Sequence, residues 1–223
     1  MPSRAGVGVV AAALVGWSLV TGRIPARWHP VPHVLFGTAV WASTRAPLGF
    51  RPPALGRGVR WGAAAAAPVL AGVAVGTAIP PVRAGMAAQT LPGPVSHWML
   101  VRIPLGTVWS EEAAYRAGLG TVAARAFGPR VGRLIAAAVF GLSHVPDARA
   151  TGQPVTLTVL ATGAAGWVFD WLYAESGSLA APILAHLAVN EAGAAAALAV
   201  QRRRCGRGRP ADAARSSGRR SRS

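Results

Sequence analysis

Of 223 residues, 52% are hydrophobic and only 13% charged, against about 25% charged in a soluble globular domain; this excludes an ordinary water-soluble fold and points to a one-domain helical membrane protein. The net charge of +16 comes from arginine without a single lysine, and nine of the 23 arginines lie between Arg202 and Arg222, which reads as a basic juxtamembrane anchor facing anionic lipid and argues against nucleic acid as a partner. Cys205, the single cysteine, excludes an internal disulfide and any cysteine-rich metal site.

Apolar segments run in chain order at 5–20, 31–43, 61–79, 95–109, 131–146, 155–173 and 178–200. They predict an all-α fold, a polytopic transmembrane helical bundle. The first segment has the proportions of a signal peptide, but no cleavage site follows, so it reads as a retained span. Pro68, Pro104 and Pro182 fall inside segments, as packed membrane helices tolerate. Small residues such as Ala63 to Ala67 suit close helix contact, and Trp17, Trp41, Trp61 and Trp98 stand near segment ends, where an aromatic belt would hold them.

Arginine placement is not satisfied by seven spans alone. A break in 95–127, where Pro104 precedes two glutamates, or in 178–200 would add one re-entrant piece. The expectation is therefore seven to eight membrane-embedded helices with both termini cytoplasmic. Three regions follow: N-terminal helices of unassigned role over 1–94, a functional core over 95–200, and a disordered basic cytoplasmic tail over 201–223.

Against this apolar background a few polar side chains stand out. An ionisable group within a bilayer costs about 3 kcal/mol or more and is a functional hypothesis by default. Ser110-Glu111-Glu112 resembles a helix start, a cap followed by acids at the positive end of the dipole. Glu112 and Arg116 are four apart and can pair, which leaves Glu111 free to act as a general base. Phe140 stands one turn before His144 at the end of an apolar helix. His186 and Asn190, again four apart, should point into the bundle, either as interhelical hydrogen-bonders or as donors to a developing oxyanion. Singly, each group is explained by packing or capping.

Together and in this order, Glu-Glu-x-x-x-Arg, Phe-x-x-x-His and His-x-x-x-Asn resemble the three signature motifs of the CPBP family of intramembrane endopeptidases, which includes CAAX-processing Rce1-type proteases and bacterial Abi proteins. The resemblance covers about residues 95–200. Tyr115-Arg116-Ala117 replaces the Phe-Arg-Gly that many bacterial members carry. The resemblance implies an intramembrane protease in which Glu111 and His144 activate water, His186 and Asn190 stabilise the oxyanion, Arg116 orients Glu112 and Phe140 walls off His144. It also implies a peptide or protein substrate near the membrane, with lipid as the other partner.

Two histidines and a glutamate (His144, His186 and Glu111) could instead hold one zinc ion, so the cofactor is either none or zinc; the absence of H-E-x-x-H favours metal-free hydrolysis. A GC-rich composition suggests a multi-pass protein of a bacterial plasma membrane. A non-enzymatic scaffold or bacteriocin-immunity-type protein is the alternative function, followed by a proton-coupled transporter.

Overall fold

The computed structural model describes residues 3–207. Helices account for the regular structure, and no strand occurs among the described residues. They are α1 (Arg4–Thr21), α2 (Pro30–Thr44), α3 (Ala54–Gly76), α4 (Pro80–Ala88), the single turn α5 (Val95–His97), two π-helical stretches π1 (Trp98–Trp109) and π2 (Glu112–Gly120), then α6 (Thr121–Phe127), α7 (Pro129–Ser143), α8 (Val145–Ala150), α9 (Val155–Ser176) and α10 (Ala180–Arg207).

Among the described residues, four helices are long and apolar enough to cross a bilayer: Arg4–Thr21, Ala54–Gly76, Val155–Ser176 and Ala180–Arg204. Of the seven to eight embedded helices expected, these four stand as candidate spans. Shorter elements such as α2 and α7, at 15 residues each, fall below the ~20 residues of an upright crossing. The outer surface carries Leu19, Leu35, Leu70, Leu100, Leu134 and Leu160 in exposed positions. Glu112 and Arg116, by contrast, are fully buried. An apolar exterior around a charged interior suits a hydrocarbon solvent.

The principal core joins Val7 and Leu14 of α1 to Ala114, Tyr115 and Leu119 of π2 and to Val139 and Phe140 of α7. Small residues set the helix spacing, as expected where apolar lipid weakens any drive to bury apolar side chains. A Cβ on Gly62 of α3 would stand 2.8 Å from the Leu184 Cβ, and one on Gly166 of α9 would stand 2.7 Å from the Phe140 ring.

Two sequence expectations are corrected here. Residues 95–127 do not break at Pro104 or begin a helix at Ser110; one continuous helical rod passes through both. Pro104 has no N–H to donate, and widening to the π register is one way membrane helices accommodate it. Ser110 sits within the rod and donates its hydroxyl back to the Gly106 carbonyl at 2.6 Å. The second correction concerns the tail. Residues 201–207 continue α10, and Gln201 Nε2 donates to the carbonyls of Met86 and Gln89, at 3.1 and 2.7 Å. The rest of the expected disordered tail, 208–223, lies outside the described residues.

Candidate active site

Glu111 and Glu112 are adjacent where α-helical Ser110–Glu111 leads into π2, and their side chains have different surroundings. Glu112 is 0% exposed. Its Oε2 lies 3.2 Å from Arg116 Nε, an ion pair made within one turn, while its Oε1 accepts from His186 Nδ1 at 2.7 Å. Arg116 is itself boxed by aromatic faces, with its guanidinium carbon 4.1 Å from the Phe140 centroid and 5.2 Å from that of Phe169. A buried ion pair needs such further contacts to offset the loss of water around both charges. Asp170 of α9, part-buried and paired with Arg133 at 3.6 Å, is a further acid that the sequence reading did not single out.

Glu111 keeps 27% of its side chain exposed and lines an open cavity of about 530 Å³. The same cavity is lined by His144 and Asn190. His144 is the joint between α7 and α8, at φ −90° and ψ 0°, a sparsely populated backbone region where many active-site residues occur. Its Nδ1 lies 2.7 Å from the Phe140 carbonyl. A carbonyl can only accept, so Nδ1 carries a proton, and the neutral form of His144 has its lone pair on Nε2. Phe140 therefore does more than wall off the imidazole: its backbone sets the tautomer, and its ring packs edge-on at 4.7 Å.

The same reasoning fixes His186. Its Nδ1 faces a carboxylate and must donate, which leaves Nε2 directed to Glu111 Oε2 at 3.9 Å. His186 is 6% exposed and stacks on Phe169 at 4.9 Å; it is not among the cavity-lining residues. Asn190 donates one Nδ2 hydrogen to the His186 carbonyl at 3.2 Å and has a second to offer. Of the two residues expected at an oxyanion, Asn190 thus lines the cavity, while His186 stands behind Glu111.

A catalytic zinc requires about three protein donors converging on one point. Nδ1 of each histidine is engaged, by the Phe140 carbonyl and by Glu112, so Nε2 is the nitrogen either ring could offer an ion. Among the described residues no three His, Cys, Asp or Glu side chains are spaced to share an ion. The set His144, His186 and Glu111 therefore does not fit zinc in this arrangement, and no step below passes through a metal.

The cavity also draws on parts of the chain that the motifs leave silent. Trp17 and Phe36, stacked at 4.5 Å, line it together with His29, His33, Arg102 and Asp147. Trp17 is thus turned into the molecule rather than belonging to an interfacial belt. His29 and His33 stack at 3.7 Å. Burial, helped by His33 and Arg102, lowers His29 to about 3, so this ring is neutral and the two can touch without like-charge repulsion. Their i, i+4 spacing in a chain with five histidines was the available sequence signal.

No curated protein and no solved structure matches the chain significantly. Residues 93–192 match the family model described as Type II CAAX prenyl endopeptidase Rce1-like. Glu111, Glu112, Arg116, Phe140, His144, His186 and Asn190 all fall inside that match, so over these 100 residues the chain is similar to the Rce1-like family, in keeping with the resemblance its motifs carry.

Proposed function

We propose that this chain is an intramembrane endopeptidase that hydrolyses a peptide bond with a water activated by Glu111 and His144. The observation that carries the proposal is the shared cavity: Glu111, His144 and Asn190, from three separate helical elements, line one open space. A water there can donate one hydrogen to the lone pair on His144 Nε2 and the other to the Glu111 carboxylate. Attack on a peptide carbonyl then sends the proton to Glu111, which can deliver it to the leaving amine. General acid–base assistance of this kind contributes about 10²–10⁴-fold.

As the carbonyl oxygen becomes an oxyanion, the free Nδ2 hydrogen of Asn190 is the donor in reach of the cavity. Such a donor is worth about 3–4 kcal/mol when preorganised. His186 acts from behind, steadying Glu111 through Nε2 while Glu112 and Arg116 fix the ring. That division revises the expected roles: one oxyanion donor at the cavity, and one histidine that positions the base. The match to a protease family model over residues 93–192 supports a peptidase, and four membrane-capable helices support catalysis at the bilayer.

The full chain in liposomes should cleave a membrane-anchored reporter peptide, with new termini seen by mass spectrometry. Glu111→Gln keeps the shape and should lower the rate by at least about 10²-fold. An unchanged rate would sink the proposal.

A further inference from the structure

A second open cavity, of about 440 Å³, shares no lining residue with the first and lies between α4 and the end of α10. Arg83 of α4 and Arg203 and Arg204 of α10 line it together, over an apolar floor of Pro80, Ala84, Ala87 and Val200. Val200 is buried, Arg83 is half-buried, and Arg203 and Arg204 are exposed. Among the described residues none of the three arginines has a carboxylate within ion-pair distance; those that do are Arg116 and Arg133.

The location follows from how α3 and α10 pack. Gly58 and Gly62, early in α3, lie against Ser178, Ala180 and Leu184 at the start of α10, so the two helices run parallel from a common end. At the other end, Gln201 ties α10 to α4, which follows α3. Both helices are candidate spans, of 23 and 25 residues, or roughly 35 Å at about 1.5 Å per residue. That length crosses a hydrocarbon core of about 30 Å, so the arginines arrive where a leaflet's phosphates lie.

We propose that the α4–α10 groove binds the phosphate headgroup of an anionic membrane phospholipid, with Arg83, Arg203 and Arg204 around the phosphate and the apolar floor beneath the first carbons of the lipid. Arginine presents a planar fork of donors that matches phosphate oxygens, and clustered arginines at the end of a membrane helix attract anionic headgroups. The apolar floor favours a lipid over free phosphate, which would gain nothing from it.

Native mass spectrometry of the full chain, exchanged from detergent carrying either phosphatidylglycerol or phosphatidylcholine, tests this. Phosphatidylglycerol should be retained and phosphatidylcholine should not. Combined Arg83→Gln, Arg203→Gln and Arg204→Gln should weaken retention about a hundredfold, at roughly fivefold per arginine near the surface. Arg83→Gln alone, which leaves α10 untouched, should cost roughly fivefold. A charge-matched control at exposed Arg23, Arg27 and Arg51 should retain lipid as the parent does. Equal loss in that control, equal retention of both lipids, or binding of inorganic phosphate without phosphatidylglycerol would each overturn the assignment.

Discussion

Glu111 and Glu112 are neighbours in the chain with opposite duties, one facing a cavity and one shut away with Arg116 and His186. Removing one partner of a buried pair leaves a bare charge and costs about 3–5 kcal/mol. Arg116→Met should therefore lower the thermal unfolding temperature in detergent sharply, and Glu112→Gln added to it should recover most of the loss. Glu111→Gln, at a half-exposed site, should leave unfolding nearly unchanged while abolishing cleavage. His144→Gln keeps a donor for the Phe140 carbonyl but removes the basic imidazole nitrogen; the cleavage rate should fall about 10²-fold. At this scale the spacing of Glu112 and Arg116 already gave their pairing. It could not give Glu112 with His186, because a contact across 74 residues depends on which helices become neighbours.

The elements that hold these side chains depend on small residues and on one wide helix. π1 and π2 change the turn between residues from the ~100° of an α-helix, and local signals did not reveal it. Serine followed by two acids looks the same whether it caps a helix or lies inside one; the hydroxyl bond to Gly106 decides the matter only in three dimensions. Gly166 shows what close packing contributes. Leucine there would drive into Phe140, at a cost of about 1–3 kcal/mol, and would shift the ring that covers Arg116 and abuts His144. Gly166→Leu should thus lose both stability and cleavage. Gly72→Ala, where an added Cβ meets nothing within 4 Å, should change neither; unfolding curves and the reporter assay read both variants.

For the whole molecule, composition and the run of apolar segments were enough to announce an all-helical chain with membrane-capable helices, and three short motifs were enough to pick the candidate residues at and beside the cavity. The cavity around them was not legible, because most of its wall comes from residues without a motif. Leu14, Trp17 and Ser18 of α1 and Ile24 beyond it line the same space as Glu111, and Val7 and Leu14 pack into the principal core. Deleting residues 1–28 leaves the family-matched stretch 93–192 intact. Cleavage should nevertheless drop by about 10²-fold, since misplacing reacting groups by ~1 Å costs that much. A truncated chain as active as the parent would show that the N-terminal wall is dispensable.

The most direct test of the central claim is a structure of the full chain with a peptide whose scissile bond is replaced by a hydroxyethylene group, a mimic of the tetrahedral intermediate. The hydroxyl should lie within about 2.6–3.2 Å of the Glu111 carboxylate and of Asn190 Nδ2, with His144 Nε2 on the same side. A peptide seated outside this cavity, or a hydroxyl turned away from Glu111, would contradict the assignment of Glu111 as the base.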